Sequence, residues 1–230
     1  MIVYNIWKSN TMEIALIIPV YNEETTIKKV ITEVSQYIKS IIVINDCSTD
    51  NSKQILTTLP VTLINNNENL GYAKSLEKGM KIVFQQNIDY VITFDADGQH
   101  EAKDLTQFIS VIEKYKPDFI FGKRLVRNRF MEYIWSYYAK KKYGFSDPLC
   151  GFKAIKKEVF LQYEYLEKHY TIGLEMIFSQ LKKGTNFKEV TISINKRKDK
   201  PRFGNAISGN WLELKALLTI LTLNELNVSK

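Results

Sequence analysis

The sequence predicts an α/β fold: one domain built on a mainly parallel central sheet with helices on both faces. Three observations predict it. Short apolar runs alternate with stretches whose apolar residues recur three or four apart through the first half of the chain. The apolar runs are nearly continuous, as in strands covered on both faces. The unusual polar residues fall just after those runs, at the strand ends where such sheets bind ligands. At 230 residues, 45% hydrophobic and 25% charged, the chain can build one such core and is not disordered.

Each element can be placed in order. Ile14 to Val20 (IALIIPV) reads as the first strand. Glu24 to Lys39 comes next, with Ile27, Val30, Ile31, Val34 and Ile38 on one helical face. Ile41 to Ile44 is the second strand, Asp50 to Leu59 a short helix, and Val61 to Ile64 the third strand. Ala73, Leu76, Met80, Val83 and Phe84 mark another helix, and Tyr90 to Phe94 the fourth strand. Leu105 to Tyr115 is helical and Phe119 to Phe121 is the fifth strand. Past Gly122 the alternation weakens. Phe130 to Tyr143 is aromatic and basic, Glu158 to His169 and Leu174 to Lys183 read as helices, and Val190 to Ile194 as a strand. A basic loop then runs to Gly204, and a C-terminal helix is expected over 206–230.

Charge is unevenly placed. The net charge is +7, with nine Lys and Arg against three acids from Glu113 to Tyr143, and eight against two from Lys182 to Gly204. Two basic blocks on an otherwise acidic chain suit an anionic partner (phosphates, an acidic membrane surface or nucleic acid) or simply a solvated basic surface. Cys47 and Cys150 form no metal-type pair and no disulfide framework, so a reducing, cytoplasmic compartment is expected. The first residues lack a signal-peptide core, and Met12 offers an alternative start. The longest apolar stretch, Trp211 to Leu223, is too short for a membrane span and carries Glu213 and Lys215.

Four segments carry the chemistry. In Thr93 to His100 (TFDADGQH), Asp95 and Asp97 stand two apart on extended backbone and point the same way. Like charges side by side call for a cation, and oxygen donors favour Mg²⁺ or Mn²⁺, with Gln99 as a further oxygen. The same residues also suit a solvated turn. Pro19-Val20-Tyr21-Asn22-Glu23 ends the first strand. Tyr21 can stack on a base and Glu23 can accept from hydroxyls, while Asn22 can cap the following helix. In Asn45 to Asp50 (NDCSTD), Asp46 can accept from a base N–H and Ser48, Thr49 or Asp50 can cap the next helix. In Asn65 to Gly79, Gly71 permits close backbone approach to a ligand and Lys74 offers charge.

Standing in this order as PVYNE, NDCSTDNS, NLGYAKSLEKG and DADGQH, these pieces resemble the family-2 glycosyltransferases, of GT-A (Rossmann-like) fold. Phe121 to Arg124 is similar to that family's GSR element, DPLCGFK (147–153) to its D-x-x-x-G-F-R element, and RKDKPRFG (197–204) to a basic closing loop. The later set looks most like the dolichyl- or polyprenyl-phosphate sugar synthases. Asn45, Cys47, Lys153 and Pro201 depart from the usual Asp, Gly or Ser, Arg and Ser. None of them removes the metal pair.

The resemblance implies one transferase domain over 1–230: a leader (1–12), a nucleotide-sugar-binding half (13–122), an acceptor half with the closing loop (123–205), and the C-terminal helix. It implies that Pro19, Tyr21, Glu23, Ile44 and Asp46 hold the nucleoside, with Asp95 and Ala96 completing the nucleotide site. Asp95, Asp97 and Gln99 would hold the Mg²⁺ or Mn²⁺ cofactor. Arg124, Arg197 and Arg202 would meet phosphates, so that these and Asp97 carry catalysis. It also implies inverting transfer of a hexose from a UDP- or GDP-linked donor to a polyprenyl or dolichyl phosphate at a membrane's inner face, held there by surface contact or a membrane-protein partner. The alternative acceptor is a sugar hydroxyl in cell-surface glycan synthesis, for which Glu175 and Asp147 are candidate bases. Other classes fit less well. There is no GxGxxG for a dinucleotide and no G-x-G-x-R loop for a nucleotidyltransferase. Asp46, Asp95 and Asp97 at strand ends would repel a nucleic-acid backbone, so no nucleic-acid partner is expected.

Overall fold

The computed structural model describes residues 12–127, 129–195 and 206–226. It contains seven strands, β1 (Ile14–Val20), β2 (Ile41–Asn45), β3 (Thr62–Asn65), β4 (Tyr90–Thr93), β5 (Phe119–Arg124), β6 (Lys153–Lys156) and β7 (Phe187–Ile192). The helices are α1 (Ile27–Val34), α2 (Ser52–Leu56), α3 (Tyr72–Val83), α4 (Leu105–Tyr115), α5 (Phe130–Tyr143), α6 (Lys157–Leu161), α7 (Glu175–Lys182) and α8 (Ala206–Leu226). The strands form one sheet in the order β3-β2-β1-β4-β6-β5-β7. Pairing is parallel throughout, except that β6 runs antiparallel to both β4 and β5.

Two cores arise from the two-residue period of the strands. In β1, Ala15 and Ile17 face the core shared with α3, α5, α7 and α8, whereas Leu16, Ile18 and Val20 face the core shared with α1 and α4. Helix α3 packs very closely on the sheet, because a Cβ on Gly79 would lie 3.1 Å from Ile17 and Ile44 side-chain atoms.

Helices α1 and α2 are shorter than the stretches Glu24 to Lys39 and Asp50 to Leu59 read for them, and three further elements differ from the sequence reading. Strand β6 was not expected: four residues with lysine at both ends (KAIK) carry little strand signal, and partners on both sides make it one. The helix expected over Glu158 to His169 stops at Leu161. Beyond it the chain forms a loop whose backbone N–H groups bond to carboxylates, Gly173 to Glu167 and Lys168 and His169 to Glu175. The strand expected over Val190 to Ile194 begins at Phe187, and Ile194 makes an isolated bridge to His100.

The topology places the site. From β3 the chain returns through α3 and crosses to β4 on the other side of β1. The connections after β1 and β4 therefore diverge and leave a crevice at their carboxyl ends, the switch point where open α/β sheets bind ligands. Helices α5 and α8 pack together and contribute a wall to this crevice. Buried Trp135 donates its indole N–H to the Glu213 carbonyl at 3.0 Å, and Asn210 accepts from the Met131 N–H at 3.2 Å. Among the described residues no helix is long and apolar enough to cross a membrane.

Candidate active site

A cavity of about 1320 Å³ opens at the switch point, generous even for a nucleotide-sized ligand. Pro19, Tyr21, Glu23, Asp46, Asp95, Ala96, Asp97, Gln99 and Arg124 all line it, so the motif residues converge as expected. Ile44 does not. Its side chain is fully buried in the core beneath α3, because its position on β2 faces the helix layer. Arg197 and Arg202 lie outside the described residues.

The motif loops are first of all tied to each other. Asn22, with φ at +55°, turns its side-chain oxygen to accept from the Thr49 N–H (2.8 Å) and Asp50 N–H (3.4 Å), and its own N–H donates to Ser48 Oγ (3.1 Å). Asn22 thus satisfies the turn before α2 rather than capping α1, whose N-cap position, Thr26, makes no side-chain cap bond. The Glu23 N–H donates to buried Ser52 Oγ at 2.7 Å. Asp46, 4% exposed, accepts from the Leu70 N–H, the Gly71 N–H and the Asn66 side chain, each at 2.8 Å. It therefore fixes the start of α3, where Gly71 sits at φ +82°. These contacts pin the ends of β1 and β2 and the α3 turn into one wall.

Asp95 is held at both carboxylate oxygens. Tyr72 OH donates to Oδ1 at 3.3 Å and His100 Nε2 lies 3.0 Å from Oδ2. Burial works against its charge, but the bonds from His100 and Tyr72 and the charge of Lys153 outweigh this and hold the carboxyl below its ordinary value. The same pair pushes the Tyr72 phenol well up, through burial and then the Asp95 charge. Burial also lowers Lys153, whose Nζ bonds to the Cys150 carbonyl. Asp97 Oδ1 accepts from the Gln99 N–H at 3.0 Å, so the turn reading of DADGQH holds as well.

Asp95 and Asp97 offer hard oxygen donors to a cation. Among the described residues no three His, Cys, Asp or Glu side chains form a ready-made cage. Two carboxylates without a cage suit an Mg²⁺-type ion, which takes one or two carboxylates and completes its shell with water and substrate phosphates. The residues present therefore fit a metal that arrives with a diphosphate.

The opposite wall carries paired charges. Arg124 Nε and Nη2 grip Asp147 at 2.8 and 2.9 Å, which holds the guanidinium charged despite its burial. Arg129 Nη2 reaches Glu213 at 2.5 Å and Glu132 at 3.3 Å. Glu213 comes from α8 and is 3% exposed. Burial, reinforced by Glu132 and opposed by Arg129, pushes its carboxyl up to about 7. The two base candidates read from the sequence are placed differently. Asp147 is 1% exposed with both oxygens on Arg124, and Glu175 turns to its own loop and lies outside the cavity lining. Tyr72, Gly151, Arg129, Glu132 and Glu213 belong to the site without having been singled out. Their signal is tertiary, since each reaches a partner from a different element.

A mainly parallel sheet with paired acids at its switch point defines a protein of GT-A fold. The chain belongs to glycosyl transferase family 2, whose profile matches residues 15–181. It is 31% identical over 198 residues to an uncharacterised protein of Methanocaldococcus jannaschii, covering 77% of this chain and 86% of that one. It is also 31% identical over 130 residues to a UDP-N-acetylglucosamine–dolichyl-phosphate N-acetylglucosaminyltransferase of Methanococcus voltae, covering 49% of this chain and 52% of that one. An undecaprenyl-phosphate 4-deoxy-4-formamido-L-arabinose transferase of Yersinia enterocolitica is 29% identical over 114 residues, 44% of this chain and 34% of that one. The fold matches glucosyl-3-phosphoglycerate synthase from Mycobacterium tuberculosis with a TM-score of 0.75 at 16% identity, over 92% of this chain and 79% of that one. It also matches mannosyl-3-phosphoglycerate synthase from Rubrobacter xylanophilus at 0.69 and 14%, over 93% and 75%.

Proposed function

We propose that this transferase moves a hexose, with inversion, from a UDP- or GDP-linked donor to a polyprenyl or dolichyl phosphate, in the presence of Mg²⁺ or Mn²⁺. The donor lies against the wall built by Tyr21, Glu23, Asp46 and Gly71, with its diphosphate toward Asp95 and Asp97. The metal, when bound, neutralises charge on the departing diphosphate. Tyr72 and His100 hold Asp95 ionised and oriented for that task.

The observation that carries the acceptor class is the charge pairing on the far wall. Arg124 and Arg129 line the cavity there, with Asp147 paired to Arg124, Glu213 to Arg129, and Glu132 to both. With its acids engaged by arginines, that wall suits an acceptor that needs positioning more than deprotonation, as an already ionised phosphate does. The names of the Methanococcus and Yersinia relatives, which act on dolichyl and undecaprenyl phosphate, support the same class. Such an acceptor places the protein peripherally, at the cytoplasmic face of a membrane.

One observation favours the hydroxyl-acceptor alternative. A carboxyl near 7 on the cavity wall, as on Glu213, is tuned where a general base works best. The test supplies radiolabelled UDP- and GDP-sugars with membranes or soluble saccharides. Label in an organic-extractable, mild-acid-labile product, with Glu175→Gln still active, is the expected result. Label only in water-soluble saccharides, lost in Glu213→Gln, replaces this reading with the alternative.

A further inference from the structure

Eight of the thirteen exposed large apolar residues among those described lie on two short stretches, Leu125 to Tyr137 and Trp211 to Leu218. That concentration is what distinguishes a functional patch from scattered surface hydrophobics. On α5, Phe130 (72% exposed), Tyr133 and Tyr137 are spaced three and four apart, so they share one stripe. On α8, Trp211 and Leu218 do the same, while Ala216, Leu217 and Ile220 face the core. Helix α8 is therefore apolar on both sides although only one side is covered, which is the pattern of a helix with a second apolar neighbour.

The charges on this face have one sign. Over residues 125–127, 129–143 and 208–223 the only acids are Glu132 and Glu213, and both are buried against Arg129. Three of the four exposed rings of the stripes have a cation over them: Arg127 over Tyr133 at 5.6 Å, Lys141 over Tyr137 at 5.8 Å and Lys215 over Trp211 at 5.3 Å. Lys140 and Lys142 add charge in the last turn of α5. Rings with apolar bodies and polar tips, interleaved with long cationic stems, match the headgroup zone of a bilayer. The face is also continuous with the cavity, because Leu125, Val126 and Leu212 are exposed and line its wall.

We propose that the outer face of α5 and α8 docks on an anionic lipid bilayer and sets the cavity mouth against it. The cations meet lipid phosphates, the rings sit at headgroup depth, and a lipid acceptor can enter along Leu125, Val126 and Leu212 without leaving the membrane. Attachment then needs no partner protein. The use of this surface rests on the lipid-phosphate acceptor proposed above, whereas its affinity for a bilayer does not.

The test is co-sedimentation of the whole chain with vesicles of equal parts phosphatidylglycerol and phosphatidylcholine. Binding at low salt, release at high salt and no binding to phosphatidylcholine alone are expected. The pair Tyr137→Glu with Trp211→Glu lies outside the cavity lining and should lower vesicle affinity about tenfold or more, while keeping the melting temperature. The control pair Leu161→Glu with Tyr170→Glu, at exposed apolar positions elsewhere, should bind as the parent does. Brominated lipids should quench the parent's tryptophan fluorescence, and Trp211→Phe should remove that quenching while still binding. Equal binding by the face variant and the parent overturns the proposal. So does loss in the face variant of a concentration-dependent dimer in a parent that ignores vesicles, which would make this a self-association surface. A water-soluble short-chain prenyl phosphate separates the two readings. If the face variant glycosylates it at the parental rate yet fails on vesicle-borne acceptor, docking and acceptor both stand. If the parent docks through this face but glycosylates no prenyl phosphate, the acceptor reading falls and the docking surface remains.

Discussion

The carboxylate of Asp95 lies directly against the backbone of Gly151, so close that a Cβ there would overlap both of its oxygens. Asp95 follows β4 and Gly151 precedes β6, and the antiparallel pairing of these two strands brings them together. Thr93 Oγ1 accepts from the Lys153 N–H at 3.2 Å and also bonds to the Gly151 carbonyl at 2.5 Å, which locks the register beside the contact. The glycine of the DPLCGFK segment is therefore a seat for Asp95. Gly151→Ala should displace Asp95 from His100 and Tyr72 and remove sugar transfer. The fold should survive with a loss of about 1–3 kcal/mol, the usual cost of overpacking. Activity assays beside urea unfolding check this. Near-parental turnover in a folded Gly151→Ala protein would mean that Asp95 need not hold its position.

Asp97 presents a simpler case. It is partly exposed, and the bond of Oδ1 to the Gln99 N–H is local to the turn. Asp97→Ala should abolish transfer with little effect on the melting temperature, since its cost falls on cation binding. Turnover measured at saturating donor while Mn²⁺ is titrated checks it. Unchanged turnover at low metal would take Asp97 out of the site.

What the sequence made legible divides along physical lines. The strands of the first half were readable because runs such as IALIIPV and IIVI are buried on both faces, and the acids after them fell where a parallel sheet puts its ligands. Strand β6 was not, because four residues are too few for a period and its identity comes from β4 and β5. Asp46 was readable as a site residue but not in its role, since three of its partners lie 20 to 25 residues away. Arg129 and Glu213 were unreadable as a pair, being joined only when α8 packs on α5.

The Asp46 contacts shape a third prediction. UDP or GDP should raise the melting temperature only with Mg²⁺ or Mn²⁺ present, by linkage. Asp46→Ala leaves the Leu70 N–H without its acceptor, at about 1–3 kcal/mol if it stays buried and unmet, while Gly71 N–H keeps Asn69 and the Asn66 amide keeps Ser75. Its nucleotide response should shrink together with its basal stability, while the metal requirement of what remains is unchanged. Nucleotide stabilisation of the parent in excess chelator would contradict the bridging role given to the metal. A fully stable Asp46→Ala protein would contradict the anchoring role given to Asp46.

Glu213 makes stability depend on pH in a direction opposite to that of an ordinary ion-paired acid. Its carboxyl is pushed up to about 7, chiefly by burial, with Glu132 adding and Arg129 opposing. In the unfolded chain it returns to about 4.3. Between those values the native state holds a proton that the unfolded state has released, so stability is greatest below the lower value, declines as pH rises toward 7, and is level above it. The shift corresponds to ~3–4 kcal/mol, with the opposing Arg129 charge already included in it. Glu213→Gln keeps the shape and an oxygen for Arg129 while removing the ionisation. The variant should therefore lack this slope and be the more stable protein above about pH 7.5, with the two converging near the acid end. Urea unfolding of both proteins across that range measures the difference, and other titrating groups cancel in the subtraction. Parallel stability curves would mean that Glu213 is ionised throughout, held by Arg129 alone. In that case it would be a weaker base than a carboxyl near 7, and the observation that favours the hydroxyl-acceptor alternative would be lost.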